Sequence, residues 1–269
     1  MIHPAPRAAL LLASLSLGGA ASAQRSPRSV EHAMVRVAGG SFSPFYRTAS
    51  VTRLTVRAFR MDAAAVTNAD FLAFVRANPR WRRGAIPRIF ADAQYLTHWA
   101  SDTELGAGAR PAQPVTRVSW FAARAYCESR GARLPTEAEW EWAARADERS
   151  RDGTLDPRFN ARILAWYGRP AGDALPDVRS TARNVWGIWD LHGLVWEWVE
   201  DFGQARALSD NRERNANGDS QRFCGASALD ASDRADYAAF MRYAFRTSLQ
   251  GAYTVRNLGF RCAMDMEVR

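Results

Sequence analysis

Arg133-Leu-Pro-Thr-Glu-Ala-Glu-Trp-Glu141 is the stretch on which the fold turns. Thr136 stands three residues ahead of Glu139. At that spacing a threonine hydroxyl and a carboxylate satisfy each other's unpaired backbone N–H at the opening of a helix. The helix predicted from this cap runs through Arg145, with Trp140, Ala143 and Ala144 on one face. Glu139 is then a cap and Glu141 a surface charge, because residues two apart on a helix point in different directions. The pair therefore does not read as the two carboxylates of a hydrolase.

Working outward toward the N-terminus, Ser119 caps a second helix, Trp120 to Arg130, which Gly131 can close in a left-handed conformation. Thr67 with Asp70 forms another capping box, followed by an apolar face of Phe71, Phe74 and Val75 and a stop at Asn78-Pro79. Trp81 to Pro114 is an irregular surface excursion, large enough to hold specificity. Met34-Val-Arg-Val37 alternates as a strand, Gly39-Gly40 breaks it, and Val51 to Phe59 resumes β-type composition. On the C-terminal side, Asp147 to Arg183 is mostly loop with a short helical stretch around Phe159 to Trp166. Asn184 to Phe202, an Arg- and Asp-rich loop, and a last segment ending Gly259-Phe-Arg-Cys262 complete the chain. The predicted class is α+β, with short elements and much ordered loop that needs clamps.

Composition narrows the chemistry. Residues 1–23 read as a secretory signal peptide, with Arg7, an apolar run from Ala8 and an Ala21-Ser-Ala23 cleavage site. Residues 24–33 read as a flexible leader and 34–266 as one domain. The expected location is periplasmic or secreted, without membrane insertion. Every one of the basic side chains is arginine, and the absence of lysine excludes Schiff-base and pyridoxal-phosphate chemistry. The net charge of +8 is spread among acidic residues instead of forming a stripe, which argues against a nucleic-acid partner. Ten tryptophans predict a core built on large aromatics. Three cysteines, Cys127, Cys224 and Cys262, make one disulfide and one leftover thiol the default in an oxidising compartment, and spacing alone does not say which two pair. No Gly-x-Ser-x-Gly elbow or Gly-rich phosphate loop is present.

Met34-Val-Arg-Val-Ala-Gly-Gly-Ser-Phe42, Ala65 to Phe71, Pro114 to Trp120, Arg133 to Glu141, Asn184 to Trp198 and Asn257 to Cys262, taken together and in this order, resemble the formylglycine-generating enzyme, or sulfatase-modifying factor, family. The ending Asp236-Tyr-Ala-Ala-Phe-Met-Arg-Tyr-Ala-Phe-Arg246 is similar to secreted members encoded beside copper nitrite reductases. The resemblance implies a loop-rich fold distantly similar to C-type lectins, and a disulfide between Cys127 and Cys262. It also implies a structural calcium site on the Asp190 and Glu197 side chains and the Gly193 and Val195 carbonyls, since alternating oxygen donors suit calcium. The alternative is that Asp190 and Glu197 satisfy neighbouring groups within a tryptophan-rich core.

The departure from the family decides the function. Active members bind copper(I) with two nearby cysteines, and soft thiolates suit that metal. The corresponding stretch here, Asp230 to Phe240, contains no cysteine, so copper and formylglycine-generating oxidase activity are not expected. Cys224 is the remaining thiol, either a metal ligand or redox thiol or a small inert side chain. Asp233, Asp236, Tyr237 and Arg246 are its candidate neighbours in the groove. Two functions follow from different classes. One is a monomeric accessory, maturation or binding protein for another exported protein or peptide, a copper enzyme among the candidates. The other is a metal- or thiol-dependent oxidoreductase that acts on a protein substrate through Cys224.

Overall fold

A computed structural model describes residues 33–45, 52–170, 172, 174–202 and 234–266, with side chains from residue 237 onward in the last of these. The expected signal peptide, most of the leader, Cys224 and Asp233 lie outside the described residues. In chain order the strands are β1 (Met34–Val37), β2 (Gly40–Phe42), β3 (Leu54–Val56), β4 (Phe59–Asp62), β5 (Trp196–Glu197), β6 (Leu258–Gly259) and β7 (Ala263–Asp265). The helices are α1 (Asn68–Ala77), α2 (Trp120–Ser129), α3 (Glu137–Ala144), α4 (Pro157–Tyr167) and α5 (Arg234–Ser248). The architecture is mixed and loop-rich, as predicted.

The central sheet is antiparallel in the order β1-β4-β7, with Val37 opposite Phe59 and Phe59 opposite Asp265. Sequence composition suggested one β-type run up to Phe59. The chain divides there instead, β3 pairing with β2 in a separate hairpin and β4 joining the central sheet. Gly40, where β2 begins, sits against the Trp142 ring. A Cβ at that position would lie 2.3 Å from a ring carbon, so only glycine allows the tryptophan to close over the hairpin.

Three helices start at their predicted caps. Thr67 and Asp70 form a reciprocal capping box on α1, Thr136 and Glu139 form one on α3, and the Ser119 hydroxyl accepts the Ala122 N–H at 3.2 Å on α2. Each cap answers N–H groups that a helix cannot satisfy internally. α5 is a helix the sequence reading left unassigned, although Phe240 and Ala244, and Met241 and Phe245, repeat at four-residue spacing.

Large aromatics fill the core, as predicted. Phe71, Tyr126 and Phe260 meet edge-on or tilted at 5.4–6.0 Å. Several tryptophans bury their rings while giving the indole N–H an acceptor: Trp198 to the Val118 carbonyl at 3.0 Å, Trp142 to the Ala38 carbonyl at 2.9 Å, and Trp99 to Asn68 Oδ1 at 3.1 Å; the Trp186 N–H is buried with no acceptor among the described residues. An indole buried without such a partner would cost free energy.

Cys127 on α2 and Cys262 beside β7 are joined in a disulfide. The junction is also held by Asp62, a fully buried carboxylate at the end of β4. It accepts the Cys262 N–H at 2.9 Å and both Arg130 Nη groups at 2.9 and 3.0 Å. Arg133 and Ala263 exchange two backbone hydrogen bonds alongside. Helix α2, strand β4 and the C-terminal strand are thus pinned at one point.

Candidate functional site

The turn 190–193 leads into β5, and two residues there have left-handed backbone, Asp190 at φ 64° and Gly193 at φ 114°. Strand alternation then separates the side chains of β5. Glu197 enters the core, fully shielded from solvent, while Trp196 faces a cavity. Parallel pairing of β5 with β6 places Asn257 beside it, its carbonyl accepting the Trp196 N–H at 2.9 Å.

Trp196 is the centre of an aromatic stack. Tyr167, at the end of α4, lies parallel to it at 4.9 Å and 17°. Trp166 is at 5.4 Å, and Phe245 of α5 at 4.5 Å. The cavity over this floor has a volume of about 430 Å³, within the range of pockets that hold ligands. The excursion 81–114 and the residues just after it supply one wall through His98, Gln113, Thr116 and Arg117. Arg169, Arg256 and Asn257 supply others. The excursion expected to carry specificity therefore borders the cavity.

The wall carries arginines. Arg117, Arg169 and Arg256 line it, and no aspartate or glutamate does so among the described residues. The partners described for Arg117 are neutral, Gln94 Oε1 at 2.9 Å and Thr97 Oγ1 at 3.1 Å. Its backbone is left-handed, at φ 52°, held by Arg117 N–H to the Val255 carbonyl and Leu96 N–H to the Arg117 carbonyl. A non-glycine residue kept in that region is a local strain that the surroundings must enforce. Arg256 donates to the Gly172 carbonyl at 2.5 Å. His98 is held neutral: burial first, then the Arg117 and Arg83 charges, bring its pKa down to about 4. Neither of its ring nitrogens has a hydrogen-bond partner among the described residues.

The predicted calcium ligands are placed otherwise than expected. Both Glu197 oxygens are occupied: Trp140 Nε1 donates at 2.7 Å, Arg261 Nε at 2.8 Å and Arg261 Nη2 at 2.7 Å. Asp190 accepts the Arg179 N–H, and the Thr181 N–H and hydroxyl at 2.8 Å each. Gly193 borders the cavity and Val195 is buried. Two carboxylates already saturated by protein donors, one of them bridged by a buried guanidinium, do not form an open oxygen cage, so the four residues as arranged do not fit a calcium ion. Among the described residues no group of three or more histidines, cysteines or carboxylates could hold a metal.

Two expectations about charged residues are corrected. Glu141 is not a surface charge. It binds Arg242 at 2.7 Å and Arg246 at 2.7 Å from largely buried positions, because α5 packs over the face of α3 that carries it. Arg246, expected in the groove, is consumed there too, with Glu137 at 3.1 Å and its guanidinium 4.6 Å over the Trp140 ring. Tyr237 is exposed on α5, and of Asp236 only the backbone, within α5, is described. Of the proposed groove set, Arg246 is thus engaged with α3, while Cys224 and Asp233 lie outside the described residues. Trp196, Arg117, Arg256 and Asn257 were not singled out from sequence. The abundance of tryptophan signalled an aromatic core but not which tryptophan faces a cavity, and left-handed backbone at an arginine leaves no sequence mark.

The chain is similar to known proteins over most of its length. The sulfatase-modifying factor enzyme 1-like domain family matches residues 19–266. The formylglycine-generating enzyme of Streptomyces coelicolor is 30% identical, over 93% of this chain and 93% of that protein. The inactive C-alpha-formylglycine-generating enzyme 2 of Bos taurus is 33% identical, over 86% of this chain and 87% of that protein. The structure of PvdO from Pseudomonas aeruginosa aligns with a TM-score of 0.49 at 16% identity, covering 87% of this chain and 94% of that one. No helix among the described residues is long and apolar enough to cross a membrane.

Proposed function

Because the chain belongs to the sulfatase-modifying factor enzyme 1-like family, we propose that it keeps the family's groove as a binding site while lacking the family's oxidation chemistry, and serves as an accessory protein for another exported protein. One observation carries this. The sequence holds three cysteines, and two of them, Cys127 and Cys262, are spent in a disulfide. Cys224 is then the single thiol left, and a copper(I) site of two thiolates cannot be built from one sulfur. The relatives do not decide the matter by similarity, since one named as an enzyme and one named inactive match almost equally well. The donor count supports a binding role without that oxidation chemistry.

The aromatic floor at Trp196 and the arginine-bearing wall support binding in place of turnover. Stacked rings offer contact area at little entropic cost, and cations beside them fix orientation. The experiment is capture of partners from the exported-protein fraction of the native cells by the immobilised chain, repeated with Trp196→Ala and Cys224→Ala. Capture should be lost with Trp196→Ala and kept with Cys224→Ala. Loss with Cys224→Ala, or conversion of a sulfatase-type cysteine peptide to formylglycine by the wild type, defeats the proposal in favour of a thiol-dependent oxidoreductase.

A further inference from the structure

We propose that the loop 80–90 seats the protein on an anionic phospholipid surface, lying on the bilayer without spanning it. Ile89 and Phe90 enter the boundary between headgroups and acyl chains, and the arginines around them hold lipid phosphates. The surface is separate from the cavity, which none of residues 80–90 lines. Residues 76–88 hold five arginines, Arg76, Arg80, Arg82, Arg83 and Arg88, and no acid. Arg80 and Arg88 are exposed, and the Arg80 guanidinium lies 5.3 Å over the Trp81 ring. Arg82 donates to the Val75 and Arg76 carbonyls and Arg83 to those of Leu96 and Trp99, bonds that hold the loop without cancelling charge. Beside these cations stand Ile89, 73% exposed, and Phe90, 39% exposed. A lone exposed isoleucine needs no explanation. One that adjoins an exposed aromatic within an arginine-rich loop makes an amphipathic surface of the kind that binds lipid.

The fold holds this loop in place. The Pro87 carbonyl accepts the Phe90 N–H at 2.9 Å, closing a turn, and Ala91 behind it is buried. The Asp92 N–H then donates to the Ala252 carbonyl at 2.8 Å, and its carboxylate accepts the Thr254 N–H at 3.1 Å. With its C-terminal side bolted inward, the turn leaves Ile89 outside. Phe90 meets Trp81 edge-on at 6.4 Å and Phe121 at 5.2 Å, which ties the tip to the arginines on either side. Tyr253, 38% exposed, sits between the two residues that bond Asp92 and adds an amphipathic ring beside the loop. Charge complementarity and shape together select the occupant. A bilayer moulds to a protruding apolar tip and offers phosphates at the depth of the flanking guanidiniums, which bind them bidentately. A protein partner would need a hollow for Ile89 and acids at fixed places around it.

The test is co-sedimentation of the purified chain with vesicles of mixed phosphatidylglycerol and phosphatidylcholine, and with vesicles of phosphatidylcholine alone. The anionic vesicles should bind at least roughly tenfold more tightly, and roughly 300 mM salt should release most of the protein. Ile89→Ser, and Arg80→Gln combined with Arg88→Gln, should each weaken binding roughly tenfold. All three side chains are exposed, so these variants stay folded. The net charge of +8 could by itself draw the chain to anionic lipid, so a control removes equal charge from other elements. Arg60→Gln combined with Arg158→Gln, on β4 and α4, should change binding less than about twofold. Equal binding to the neutral vesicles, indifference to Ile89→Ser, or an equal loss in the control variant overturns the inference. Polyglutamate should bind at least roughly tenfold more weakly than the anionic vesicles. Binding as tight, and as dependent on Ile89, overturns the inference in favour of an acidic protein partner.

Discussion

The pinned junction around Cys262 and the cavity around Trp196 are built from the same residue types and handle charge in opposite ways. At the junction, Asp62 meets Arg130, and Glu197 meets Arg261 and Trp140, every oxygen occupied within 3.0 Å. In the cavity, Arg117 is held by uncharged groups and shares its wall with Arg169 and Arg256. Charges answered internally fix the fold. The Arg117 charge, steadied by an amide and a hydroxyl, keeps a field for something that arrives from outside.

The contrast breaks most sharply at the disulfide. Its closure spans 135 residues, and replacing Cys127 and Cys262 by serine should cost about 5 kcal/mol of stability by the chain-entropy account, read from urea unfolding. A loss below about 1 kcal/mol would mean that the Asp62 network alone pins the junction.

Next comes the buried pair. Glu197→Gln leaves Arg261 charged and unanswered in the core and should cost about 3 to 4 kcal/mol. Calcium or a chelator should leave the melting temperature of the wild type unchanged, since the counter-cation is a guanidinium. A calcium-dependent rise of several degrees would restore the metal that the family resemblance implies.

A third effect is set by pH. Burial alone would raise the Glu141 carboxyl, but Arg242 and Arg246 outweigh it and hold the group down at about 2, against an ordinary 4.5. A folded pKa below the unfolded one means stabilisation that is complete above about pH 5 and is lost as pH falls toward 2. Between pH 6 and 3 the wild type should lose about 2 kcal/mol more than Glu141→Gln does. Parallel pH profiles would show that the α3–α5 clamp is not ionic.

The smallest effect belongs to the cavity. Arg169→Gln should change stability by less than about 0.5 kcal/mol, because its charge answers no carboxylate among the described residues. A larger loss would move Arg169 from the binding side of the comparison to the structural one.

Much of the fold was legible because its signals are local. Thr136 with Glu139, Thr67 with Asp70 and Ser119 before Trp120 mark helix starts whose hydrogen bonds span three residues. Helix α5 carried a four-residue repeat that went unread amid its arginines, and those arginines make sense only against α3. Glu141 shows the limit most clearly. Nothing within a helical turn of it distinguishes a solvated charge from one that binds two guanidiniums 101 and 105 residues away.

Cap spacing, the count of three sulfurs and the absence of a cysteine between Asp230 and Phe240 were fixed in the covalent chain, because each is a matter of residue identity and near-neighbour geometry. Which cation answers Glu197, which tryptophan turns outward from β5, and which arginines share a cavity wall required the packed molecule. Those partners lie scores of residues apart, and close packing alone brings them within hydrogen-bonding reach of one another.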